Sequence, residues 1–564
     1  MTHKIFYFFW FLLLNYLTMA SNPSLDSLFK SRTINQDHAS SFSKILSQDN
    51  QGRIKPFHTV SSEILRKISR KQQLLGQNPV QIVLGMTIDP LLWQMAPIIK
   101  VTHEDILKLI EQSDLHVAFV SFFNQKNEYI LTPYVESAYS KKPIDRNKFD
   151  KEVIAVDERV NICSMLFSDQ FISIFPSKES IENIWSTDVS MQIPGIDSLK
   201  TQSFKYIYRD LIFTAFENDN WEPANSILQF ITNFQNEYAK TILPNTLKIN
   251  LEILYNELDP FGWSKLFALY LISGIFFLVL LLIQIFYINR VSKLLIKGLY
   301  AIIVSGFLFH LFALILRWYI SGHAPWSNGY ESVIFISFAT MLAGIIFSKK
   351  SDFAIVAASL VAAMLLFVAN LNWLNPEITN LVPVLKSYWL MIHVSVITSS
   401  YGFFGLCAFL GLMSIFLIIL GHSQIVKENV KNLTIINEQS MIIGLFLLTV
   451  GTFLGGVWAN ESWGRYWGWD PKETWALVSC IVYAIILHIR LLKSIRYTYY
   501  FNVCALFGFS AILMTYFGVN YYLDGLHSYA AGDAFPVPSF VFPTFVTLMF
   551  ISFIGFFRFN KWIN

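Results

Sequence analysis

Charge is what this sequence has least of. Only 14% of its 564 residues are Asp, Glu, Lys or Arg, where average soluble domains carry about 25%. That deficit excludes a chain that faces water throughout. The net charge of +3 is too small to indicate nucleic-acid binding. Cysteine is also scarce: Cys163, Cys407, Cys480 and Cys504 form no C-x-x-C pair, and three of them sit inside apolar runs. This excludes a disulfide framework, a Cys-rich metal site and, for want of C-x-x-C-H, covalent haem attachment to the chain itself. Residues 21–260 hold no internal repeat and no low-complexity tract. Nor is there a nucleophile–base constellation.

What is present is apolar length. Hydrophobic residues make up 54% of the chain, with 51 phenylalanines. Lys4 precedes the apolar run Ile5 to Leu17, and Ala20 ends it, so residues 1–20 are expected to be a signal peptide or anchor. Residues 21–260 are expected to form an α+β extracytoplasmic domain. Pro79–Ile88 and Leu115–Phe123 read as strands, and Thr102–Gln112, Ala224–Leu243 and Thr246–Leu258 read as helices. The stretch from Gln48 to Pro56 is turn-rich, and His38, His58, His103 and His116 are scattered as ordinary surface or core residues.

Residues 264–557 read as a polytopic α-helical membrane domain. Nine spans are expected at about 264–288, 297–319, 330–347, 353–371, 387–420, 439–457, 474–493, 499–518 and 540–557. If the first span starts outside, Lys293, Lys297, Lys349, Lys350, Lys427, Lys431, Arg490, Arg558 and Lys561 all fall inside, as the positive-inside rule requires. The expected location is therefore the cytoplasmic (inner) membrane. The N-terminal domain and the segment at 458–473 would lie on the periplasmic side.

That segment, from Trp458 to Glu473, is read as a loop. It gathers Trp458, Trp463, Tyr466, Trp467 and Trp469 around Arg465 and Asp470. Such rings suit either an aromatic belt at the membrane interface or a flat platform for a large planar ligand. Asp470-Pro471-Lys472-Glu473 also has the form of a helix start, with Asp470 as N-cap, Pro471 at N1 and Glu473 placed to close a capping box. Asp470 is thus a cap or a ligand contact.

Histidines at membrane depth complete the pattern. His393 and His527 fall at the outer rim, with His310 and His488 deeper. Each is a satisfied packing residue or a functional group, since ionisable residues in a bilayer are costly. Paired imidazoles, stacked tryptophans and an apolar setting fit haem, whose iron takes two axial histidines and whose propionates take a cation such as Arg465 or Lys472. His323 sits in a Pro-containing turn, and His422 among polar residues.

The run from Trp463 to Trp475 resembles the tryptophan-rich WWD signature of haem-handling proteins. Joined to Gly525-Leu526-His527-Ser528-Tyr529, and to Arg317-Trp318-Tyr319 followed by His323-Ala324-Pro325-Trp326-Ser327-Asn328, it resembles the CcsA/ResC type of cytochrome c assembly protein over about residues 264–557. The resemblance implies that haem b is the substrate, held outside between His393 and His527 and joined to C-x-x-C-H cysteines of an exported apocytochrome c, as by a haem lyase. It also implies a membrane haem ligand at His488, a possible CcsB/ResB-type subunit, and a thiol-reducing thioredoxin-like partner. The chain departs from fused relatives in having no further spans ahead of the large domain, so the second membrane ligand falls to His310 or to a partner. A haem carrier of the CcmC type and a bis-histidine electron-transfer subunit are the alternatives.

Overall fold

The computed structural model describes residues 25–177, 184–192, 201–286, 292–371, 374–381, 383–491, 497–523, 525 and 537–563. The expected signal segment and His527 lie outside the described residues. The chain divides into two compact units, Met1–Asn256 and Glu257–Asn564.

The first unit is mostly helical. Its described strands are short and pair two by two into antiparallel ladders. The turn-rich stretch is one of these. Leu46–Gln48 pairs with Ile54–Pro56, and Asp49 Oδ1 accepts from the amides of Gln51 and Arg53 across the turn. The hairpin is tied down by two ion pairs, Arg53–Glu252 at 2.8 Å and Lys55–Glu63 at 2.6 Å. Pro79–Ile88 corrects the sequence reading, because it is a helix. Asn78 and Gln81 close a capping box and Pro79 occupies the first turn. Nearly every side chain along it is buried, so no helical stripe shows in the sequence. The Leu115–Phe123 segment keeps a strand only at His116–Ala118 before a tight helical turn. Thr246–Leu258 is a helix with the expected bounds.

The second unit is a helix bundle. Nine helices among the described residues have the length and composition to cross a membrane. They are α1 (Trp263–Phe286), α2 (Lys293–Ser321), α3 (Gly329–Ser348), α4 (Asp352–Ala369), α5 (Tyr388–Leu420), α6 (Gln424–Trp463), α7 (Pro471–Leu491), α8 (Tyr497–Tyr522) and α9 (Val541–Trp562). α5 packs along α6 and α8, α3 along α4 and α5, and α7 between α6 and α8. The chain is a polytopic α-helical membrane protein with an N-terminal α+β region.

The bundle has a basic end, and polar contacts mark it. Arg490 pairs with Glu438 at 2.6 Å, the Tyr497 hydroxyl donates to the same carboxylate, and Lys350 donates to Gln439. α6 is much longer than the apolar 439–457 that was read as its span. It continues through Trp463, so the tryptophan segment begins on a helix and only 464–470 is loop, a second correction. Gly464, at φ +71°, ends α6 in the left-handed conformation that glycine adopts without strain.

Candidate functional site

At the tryptophan end of the bundle, α3, α5, α6, α7 and α8 enclose a cavity of about 760 Å³, well within the usual ligand-pocket range of roughly 300–1,000 Å³. Tyr466 and Trp467 from the 464–470 turn, Trp458 from α6 and Trp326 from the turn before α3 contribute its aromatic wall. Deeper in, Thr398, Tyr401, Thr452 and Thr515 add hydroxyls. The lining residues on α5 run from Leu390 to Tyr401, so the cavity descends about 16 Å along that helix.

His393 stands on this wall. Its Nδ1 is 2.7 Å from the Gly451 carbonyl on α6, and because a carbonyl only accepts, Nδ1 carries the proton. That contact fixes the tautomer and the ring plane. The ring lies so close to α6 that a Cβ at Gly455 would come within 2.7 Å of its Cε1. Glycine there makes room for the imidazole.

The turn that presents Tyr466 and Trp467 is held from inside. Asp470 Oδ1 accepts from the Lys472 amide at 2.8 Å, while Glu473 Oε2 accepts from the amides of Asp470 at 3.2 Å and Gly468 at 2.7 Å. The capping box expected from the sequence is formed, with Pro471 in the first turn. Trp469 takes a left-handed φ of +57° at the apex, a conformation costly for a non-glycine residue. The rings do not make one flat floor. Trp458 meets Trp463 edge-on at 64° and Trp467 meets Trp469 at 87°, the geometry that ring quadrupoles favour.

Of the residues singled out in the sequence, the structure brings His323, Trp326, His393, Trp458, Tyr466, Trp467 and Lys472 to the cavity. Trp463 packs on Trp458, Trp469 is largely exposed, Arg465 lies over the Trp463 ring, and Asp470 serves as a cap. Gly525 packs against the Asp470 carboxylate and Pro471. His310 and His488 are not brought together. His310 is buried among Tyr270, Phe261 and Phe338, with Nδ1 3.4 Å from the Tyr270 hydroxyl and Nε2 3.1 Å from the Ile334 carbonyl. His488 is exposed near the basic end of α7, its Nδ1 2.7 Å from the Ala484 carbonyl. α2 packs on α1 and α3, whereas α7 packs on α6 and α8.

The sequence reading did not foresee the scaffold of the far wall. Arg317 and Glu331 form a fully buried pair at 2.9 Å. The guanidinium also donates to the carbonyls of Pro376 and Glu377, and Glu331 accepts from the Ser327 amide. One ion pair therefore pins the turn before α3 and the 374–381 segment together. His323 reinforces this through Nε2, 3.1 Å from the Thr379 carbonyl. The signal was in the i, i+14 spacing of an arginine and a glutamate on consecutive spans, which becomes legible only once the spans are antiparallel neighbours.

Comparison with known proteins agrees with this architecture. The family described as Cytochrome C assembly protein matches residues 326–527, the part of the chain that builds the cavity. Protein NrfI of Wolinella succinogenes is 40% identical over 504 residues, which is 89% of this chain and 55% of NrfI, so the chain spans about half of that relative. The cytochrome c biogenesis protein CcsA of one Prochlorococcus marinus strain is 32% identical over 316 residues, 50% of this chain and 98% of that protein. CcsA of Arabidopsis thaliana is 35% identical over 273 residues, 39% of this chain and 81% of that protein. The chain belongs to the cytochrome c assembly protein family, and within it is of the CcsA type.

Proposed function

We propose that the cavity presents haem b at the outer membrane face, between His393 and His527, for covalent attachment to the C-x-x-C-H cysteines of an exported apocytochrome c. The observation that carries this reading is His393. Its imidazole stands on the wall of a large aromatic cavity, with its tautomer set by a backbone carbonyl. Gly525, two residues before His527 in the sequence, lies against the Asp470 cap of the tryptophan turn. The basic end would face the cytoplasm, and His488 near it would be the membrane-side haem ligand.

Attachment adds a cysteine thiol across a porphyrin vinyl group. The C=C π bond and the S–H bond break, while a C–S bond and a C–H bond form, so atoms balance with no further reactant. The chain's task is orientation, which is worth up to about 7–11 kcal/mol when reactants are well aligned. A locked imidazole and edge-packed tryptophans supply a rigid seat, and the substrate's own histidine displaces an axial ligand on release. No side-chain acid or base is assigned to the step. A thioredoxin-like protein would keep the substrate thiols reduced, and a CcsB/ResB-type subunit would complete the membrane site.

The test is co-expression with an exported C-x-x-C-H apocytochrome in a host stripped of its own assembly system. Haem that stays on the reporter through denaturing electrophoresis identifies a synthetase. An unstained reporter, with a low-spin haem spectrum on the purified protein, identifies a carrier or one half of a two-subunit enzyme.

A further inference from the structure

Lys472 is the one lysine or arginine among the described residues lining the cavity. Its chemical situation is unusual. The ammonium makes a single hydrogen bond among the described residues, to the neutral amide oxygen Asn520 Oδ1 at 3.1 Å, although it carries three donors. Asp470 attracts the ammonium electrostatically but makes no hydrogen bond to it among the described residues. Asp470 Oδ1 accepts from the Lys472 amide and Glu473 Oε2 from those of Gly468 and Asp470, while Glu473 and Glu377 also line the cavity. A cation on the wall of a largely apolar cavity, hydrogen-bonded there to a neutral group, is a site for an anion. The Asn520 amide NH₂ adds a second donor next to it.

Two arginines of this region are occupied elsewhere. Arg465 lies over the Trp463 ring at 5.9 Å, in the space that a side chain at Gly468 would fill. Arg317 is bonded to Glu331 and to two carbonyls.

We propose that Lys472, with Asn520 beside it, is the carboxylate anchor of the cavity and takes a propionate of the bound haem. This rests on the haem reading above and deepens it. The vinyl groups lie across the macrocycle from the propionates, so an anchored propionate end sets which edge of the ring meets the incoming thiols. Lys472 is a positioning residue in this scheme.

The test is spectroscopic titration of the purified full-length protein with haem and with haem dimethyl ester, whose propionates carry no charge. The wild-type protein is expected to favour the free acid. Lys472→Gln is expected to bind haem about tenfold more weakly and to lose that preference, since a charge-assisted hydrogen bond is removed, while Arg465→Gln keeps it. Asn520→Asp, which sets an acid against the same ammonium, should weaken haem and leave the ester unaffected, and it serves as the readout if Lys472→Gln does not fold. A preference retained in Lys472→Gln, or lost in Arg465→Gln, overturns the anchor. Failure of the wild-type protein to bind either porphyrin overturns the haem reading itself.

Discussion

Around His310, α1, α2 and α3 close on the imidazole from every side, and both ring nitrogens face protein partners. Around His393, α5 and α6 hold one nitrogen against a carbonyl, and the ring borders a cavity of about 760 Å³. Both side chains sit on apolar helices, and sequence alone gives them the same interest. What separates them is what stands opposite: aromatic rings and a helix carbonyl in one case, glycine and open volume in the other. The two imidazoles therefore differ in access: one is enclosed by protein, the other borders a cavity.

The contrast can be broken most forcefully at Glu331. Glu331→Ala leaves Arg317 buried without its counter-charge, at a cost of about 3–5 kcal/mol. The expected outcome is loss of folded protein on size exclusion of detergent extracts, because the pair holds the packed region and the cavity wall together. His310→Phe keeps the ring volume but strips the Tyr270 hydroxyl of its partner, for about 1–3 kcal/mol. A lowered melting temperature with an unchanged haem spectrum is expected, and a lost haem signal would instead assign His310 to haem. Gly455→Ala touches only the other side of the comparison. Its methyl would press on the His393 ring, and haem affinity is expected to fall about tenfold at unchanged melting temperature, measured by titration.

A third histidine sharpens the same contrast in the first unit. His38 is buried, with Nδ1 2.7 Å from Asn225 Oδ1 and Nε2 2.7 Å from the Tyr208 hydroxyl. Burial lowers its pKa below the ordinary 6.5, against the opposing Asn225 hydrogen bond. A depressed folded-state value means that its contribution is complete above about pH 6.5 and is lost as pH falls, because the unfolded chain then binds the extra proton. Thermal stability of the wild-type protein should therefore fall as pH drops below about 6.5, and that acid sensitivity should shrink in His38→Gln. This is the smallest effect of the four.

The membrane helices were legible because an apolar run flanked by lysines needs no partner to be recognised. Their ends were less so. Hydropathy reports the apolar middle of α6, while the helix itself runs on through Trp458 and Trp463. Pro79–Ile88 misled because a helix buried on all sides has no polar face to reveal its period, although Asn78-Pro79 and Gln81 carried the cap. At the site, the tryptophan turn and its Asp470 cap could be read locally. The cavity could not, since Trp326, Tyr401 and Thr515 come from a turn and two separate helices and acquire meaning only by convergence. Nor did composition tell Lys472 from Arg465, which differ by where a glycine lets one of them lie down.

The forty residues of α6 form a rod of about 60 Å, roughly twice the hydrocarbon thickness of a bilayer, about 30 Å. Such a rod acts as a ruler. Its 25 residues from Glu438 to Trp463 set a spacing of about 38 Å between the Glu438 cluster and the tryptophan turn, independently of the surrounding lipid. In a thicker or thinner membrane the bundle must then tilt or the lipid must adjust, while the two ends of the molecule keep their distance.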